Sequence, residues 1–80
     1  MARYFFDLHN SKFSSRDTRG HDCASRDAVS EYALRLLCDV ARERPLEHMH
    51  SRLGATVRGE SDDVVLTATV SMSTTWLDAA

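Results

Sequence analysis

Eighty residues, 42% of them hydrophobic and 28% charged, describe one small domain whose core must use nearly every apolar side chain, because a chain this short buries only about 60% of its unfolded surface. Ten basic against twelve acidic residues leave a formal charge of -2, which excludes the strongly basic footprint of a protein that holds nucleic acid by neutralising phosphates. The aromatic run at residues 4–6 is cut by Asp7, and the richest apolar stretch, residues 29–41, carries Glu31, Arg35 and Asp39, so neither a secretory signal nor a membrane span is expected.

Residues 2–9 alternate, with Tyr4, Phe6 and Leu8 on one side and Arg3, Phe5, Asp7 and His9 on the other, the period of a strand. Phe5 stands out on an otherwise polar face. Residues 10–15 are turn-rich, and residues 13–18 are predicted to fold back as a second strand before Gly20 breaks the chain. A long helix follows. Ser25 is its N-cap, Asp27 suits its first turn, Arg42 and Arg44 suit its last, and Pro45 stops it. Val29, Tyr32, Ala33, Leu36, Leu37 and Val40 recur at spacings of three and four, with Leu34, Cys38 and Ala41 widening the stripe. Residues 46–50 hold either a further helical turn or a loop. Residues 52–58 and 64–72 alternate again as two strands around a loop, residues 59–63, that carries three acids. The tail from Ser73 is polar except for Trp76 and Leu77, which either fold back onto the sheet edge or stand exposed.

The expected architecture is a single α+β domain: an antiparallel sheet of three or four strands with one long helix packed on one face. The opposite sheet face is expected to be open, carrying Arg3, Phe5, Asp7, His9, Thr56, Arg58, Thr67 and Thr69.

Chemistry is sparse. His21-x-Cys23 and His48-x-His50 offer four ligands in principle, but their spacing matches no known zinc pattern. Cys23 beside His21 is the one nucleophile near a base, with nothing to mark an orienting acid or an oxyanion hole. Gly20, Gly54 and Gly59 stand too far apart for a phosphate loop. No catalytic residue, metal or cofactor is therefore expected, and Cys23 and Cys38 read as reduced thiols of a cytoplasmic protein. Nine of the ten basic residues are arginine, yet they interleave with acids as a mixed solvated face does. Acids gather at Asp17, Asp22 and Asp27 and again at Glu60, Asp62 and Asp63, which reads first as ordinary solvated charge and otherwise as either of two places for a partner rich in Lys and Arg.

The opening Met1-x-Arg3-Tyr4-Phe5-Phe6-Asp7, then Asp17-x-x-Gly20, Ser25-x-x-Ala28 and Ala33-x-x-Leu36, resembles a group of small uncharacterised bacterial proteins that begin Met-Pro-Arg-Tyr-Phe-Phe. Ala2 departs from that group's proline, Cys23 from a larger apolar residue, and the last hairpin from an Asp-x-x-Gly tip. As a whole, the chain also resembles phage-encoded anti-CRISPR proteins directed at type I surveillance complexes. That second resemblance implies a non-enzymatic inhibitor in the host bacterial cell, a monomer that binds a basic surface of the complex (Cascade, with type I-C among the candidate subtypes) and blocks target DNA without touching nucleic acid itself. The expected contacts are Phe5 as an apolar anchor with Arg16, Asp17, Arg19, Glu60, Asp62 and Asp63 around it. Two other readings stand beside it: a bacterial housekeeping or stress-response domain, as a homodimer pairing sheet edges or open faces, and a thiol or metal enzyme built on His21, Cys23, His48 and His50.

Overall fold

The first strand, β1 (Ala2–His9), lies inside an antiparallel sheet, as its alternation requires. The structure is a computed structural model and describes residues 1–78. After β1 come β2 (Ser14–Ser15), β3 (His21–Cys23), the helix α1 (Arg26–Glu43), a 3-10 turn at Pro45–His48, β4 (Leu53–Arg58) and β5 (Val64–Val70). The strands run in the order β2-β1-β4-β5, with β3 also paired to β1. One edge of β1 is thus shared: β3 covers Ala2 to Tyr4, and β2 covers Leu8 and His9.

The return strand expected over residues 13–18 is thus cut to Ser14–Ser15, and an unexpected short strand, His21–Cys23, follows Gly20 and makes the sheet five-stranded where three or four strands were expected; Asp17 is the reason. Its carboxylate fills the gap between them, Oδ2 accepting the Phe6 backbone N–H at 3.0 Å while Oδ1 accepts those of Arg19 and Gly20, each at 3.0 Å. A side chain thereby replaces a strand partner at the middle of β1, as aspartate does in turns. Gly20 then turns the chain at φ +76, where an added Cβ would sit 2.9 Å from both Arg3 Cγ and Phe5 Cε2. Gly20→Ala is expected to destabilise the fold by about 1–3 kcal/mol, from left-handed backbone strain and that clash, read as a lower urea midpoint at unchanged slope.

Helix α1 begins where expected, Ser25 Oγ accepting the Ala28 N–H at 3.1 Å. Val29, Ala33, Leu37 and Ala41, one per turn, are its buried residues. Tyr32, Leu36 and Val40 flank them, half-buried. Leu34 and Cys38 do not widen the stripe. Both are exposed, because a residue one position beyond Ala33 or Leu37 is rotated by about 100° around the axis, away from the sheet. The stripe meets Phe6, Cys23 and Val57 toward one end and Leu53 and Ala55 toward the other.

Strand β4 is the spine. Leu53, Ala55 and Val57 are buried against the helix, and Gly54 and Arg58 are buried on the opposite face. Gly54 leaves room there for the His9 ring, which would have to move if a Cβ were added, since the two would lie 2.7 Å apart. Strand β5 ends at Val70 rather than at residue 72 and, among the described residues, has a neighbour on one side only. The chain continues from it without strand pairing, leaving Trp76 88% and Leu77 95% exposed. Of the two fates expected for that tail, the structure shows the exposed one, and the molecule is 53 Å long but only 23 × 18 Å across. No helix of the described residues is long and apolar enough to cross a membrane.

Candidate functional site

On the sheet face away from α1, register sets Arg58 of β4 opposite Phe5 of β1, and Asp7 one strand pleat further along β1. The guanidinium turns toward Asp7. Arg58 Nε donates to Asp7 Oδ2 at 2.7 Å and Nη2 to Oδ1 at 3.0 Å, the two-pronged geometry that makes arginine–carboxylate pairs strong. Nη2 also donates to the Asp17 carbonyl at 2.8 Å, and Nη1 to Asp62 Oδ1 at 2.8 Å. Its centre lies 5.2 Å from the Phe5 ring centroid, within cation–π range. Asp7 Oδ1 accepts the Asp17 N–H as well, at 2.9 Å.

This part of the face was expected to be open. Instead residues 16–20 roof it and Arg58 is buried, because one arginine fork can satisfy two acids and a carbonyl that bring the loop down over the sheet.

The charges respond accordingly. The Arg58 hydrogen bonds hold the Asp7 carboxyl below its ordinary range, and Arg58 does the same for Asp62. Burial pushes the Asp17 carboxyl up, but the N–H groups of Gly20, Phe6 and Arg19 outweigh it, and the net shift is down. Arg58 is itself held above its ordinary value, chiefly by Asp7 and then Asp62. Carboxyls lowered on folding contribute stability that is complete above their ordinary value near 3.8 and is lost as the pH falls through it toward the folded value. Stability should therefore be level from pH 7 to about 5 with respect to these groups and decline below about 4. Asp7→Asn should lower it at neutral pH and make the acid limb shallower, measured as urea midpoint against pH.

The residues expected to meet a partner are brought to one end of this face, although the two segments that carry most of them lie far apart in sequence. Phe5 is half-buried beneath Arg58. Asp17 and Asp62 are committed to internal bonds, and Arg16 Nη2 reaches Asp62 Oδ1 at 3.4 Å. The Arg19 carbonyl accepts from Arg3 Nη1 at 2.6 Å while Arg19 is exposed, and Glu60 Oε1 accepts the Arg3 N–H at 3.3 Å. Asp63 is exposed at the hairpin end, its carbonyl accepting the Gly59 N–H at 2.9 Å. Asp7 and Arg58 organise the group and were not among the expected contacts. A lone acid and a lone arginine on the polar faces of two strands were the signal for them.

The histidines and cysteines do not converge. The His21 ring stacks on Tyr32 at 3.9 Å, whereas Cys23 is buried and its Sγ lies 3.9 Å from the His21 carbonyl. Burial pushes the Cys23 thiol up, away from the thiolate a nucleophile needs. His48 is buried beside Asn10, 3.5 Å away, just past the other end of β1. Among the described residues no three His, Cys, Asp or Glu side chains are grouped to hold a metal ion.

Residues 3–71 match a family described as a domain of unknown function (DUF6894). The chain belongs to the DUF6894 family. The match takes in β1 through β5 and the whole Arg58 cluster, and leaves the Trp76 tail of this DUF6894 domain outside it. No curated protein and no solved structure matches the chain.

Proposed function

We propose that this DUF6894 domain is a non-enzymatic, cytoplasmic binding module that covers a basic protein surface with the rim of the Arg58 cluster. The observation that carries this reading is the convergence of the two loops. The buried Arg58 fork fixes Asp62 and Asp17, so the exposed groups beside them, Glu60 and Asp63, are presented on a braced edge next to Phe5. Pre-ordered charge is the kind that binds well, because less side-chain freedom is lost on contact. Arg16 and Arg19 lie among these acids and set which basic surfaces fit. Asp17 serves as a brace in this scheme, not as a contact.

The resemblance of the whole chain narrows the partner to a type I surveillance complex, with inhibition by occlusion of its DNA-binding surface. A DNA-binding assay with purified complex tests the narrow form: saturating domain should abolish target binding, and undiminished binding removes this target. The broad form is tested by charge reversal. Glu60→Lys with Asp63→Lys leaves the Arg58 bonds in place, and should weaken any partner complex at least tenfold while the thermal midpoint holds. A complex indifferent to that pair of changes would use another surface.

A further inference from the structure

Strand β5 is an edge with little to guard it. From Val64 to Met72 the chain contains no charged residue or proline, two of the devices by which proteins discourage pairing at an edge, and a third, a bulge, is confined to Val65 at the start of the strand. Its outer side carries no strand among the described residues. The chain beyond it carries no secondary structure through residue 77 and is exposed and apolar at Trp76 and Leu77. Near the start of the same strand, on the helix side, is an open cleft of about 500 Å³ lined by Tyr4, Arg26, Asp27, Val29, Val65 and Leu66, with Ser30.

We infer that a second copy of this chain fills both features: the β5 edges pair antiparallel about a twofold axis, and each tail lays Trp76 in the other copy's cleft. Direction decides the occupant. The tail leaves the end of β5 heading away from the cleft at its start, residues 71–77 pair with no strand and Trp76 stays exposed in the single chain. Residues 71–75, Ser-Met-Ser-Thr-Thr, hold no Gly, Pro, Asn or Asp, leaving only the weaker hydroxyl turns of Ser and Thr to reverse the chain. An antiparallel partner runs the opposite way and carries its tail past that start. With the axis at Val70, Ala68 faces the partner's Met72 and Leu66 faces the partner's Thr74, and the partner's Trp76, two residues on, reaches the bulge at Val65.

Faces agree as well as directions. Leu66, Ala68, Val70 and Met72 pack toward the helix, and two-residue alternation carries Trp76 to that side. The bulge at the Val57/Arg58 step displaces Val65 from the ladder and turns it into the cleft wall. Asp27 and Ser30 offer acceptors for the indole N–H. A closed twofold contact also ends the edge, so the pairing stops at two copies instead of propagating. The Arg58 cluster lies on the other sheet face and remains free.

Trp76 is the sole tryptophan, so its emission reports the contact directly. Sedimentation equilibrium should give twice the monomer mass, and on dilution the emission should shift from blue to red as the mass falls. Trp76→Ser, which changes a side chain 88% exposed in the single chain, should leave the fold intact and weaken the dimer at least tenfold. Val65→Lys, in the cleft wall, should do the same while returning Trp76 emission to that of exposed indole. A chain that stays monomeric throughout, a dimer of unchanged affinity in Trp76→Ser, or blue emission in a monomer each overturns the inference, the last by showing the tail folded on its own chain.

Discussion

Leu37→Ala is expected to lower the stability of this domain by about 2–5 kcal/mol, the range for a fully buried leucine whose cavity only partly collapses. Leu37 is 0% exposed and packs in one cluster with Ala41, Leu53 and Ala55. Leu8, Val40, Ala68, Val70 and Met72 pack around that cluster, and how far the longer of these side chains close the space left behind sets where in the range the loss falls. A domain of this size has only about 5–15 kcal/mol to lose, and its melting point falls roughly 4–8 °C per kcal/mol. Leu34→Ala on the outer side of the same helix is the control. Leu34 is 46% exposed, and its removal should change stability by no more than about 0.5 kcal/mol. Thermal denaturation of the two variants side by side checks both. Equal effects would mean that the helix is rotated from the orientation described.

Arg58→Ala is the second large effect, and it comes from charge rather than volume. Removing the guanidinium strips Asp7 of both its bonds to Arg58, leaving it only the Asp17 N–H, and leaves the Asp17 carbonyl without its side-chain donor and Asp62 with only the longer contact to Arg16. A carboxylate left partly buried and unpaired is destabilising far beyond the value of the pair itself. The melting point should therefore drop several-fold more than it does for Arg35→Ala, which breaks a 2.7 Å but solvent-exposed pair with Glu31. Arg58→Lys should rescue little, because an ammonium cannot present the fork that reaches two oxygens of Asp7, the Asp17 carbonyl and Asp62 together. Asp7→Ala with Arg58→Ala should be clearly less harmful than the sum of the two single changes, since each single change orphans the other group. Additive effects would show that the two side chains do not act as one unit.

The elements were legible wherever a local rule was strong. Alternation located β1, and the Ser25 cap and Pro45 bracketed α1 to within two residues. The alternation of residues 64–72 placed β5, although the last two residues form no ladder with β4. The segment between β1 and α1 was the weak point, because what shapes it is one carboxylate, Asp17, reaching the backbone of β1. No pattern of hydrophobicity encodes that contact. The face occupied by Arg58 was legible too, but not its burial, which depends on a loop more than thirty residues earlier closing over it.

The sequence by itself determined the two layers of this protein, which side of β1, β4 and most of β5 faces the helix, and how small the core is. Those follow from periodicity and length, which act between neighbours in the chain, whereas the bulge at Val65 reverses the sides expected of Val64 and Val65. Tertiary structure alone decided that Asp7, Asp17 and Asp62 share a single arginine, and that, among the described residues, the outer side of β5 and the Trp76 tail have no strand beside them. Both outcomes depend on distances between segments far apart in sequence, where hydrogen-bond geometry selects one partner among several acids of the same charge.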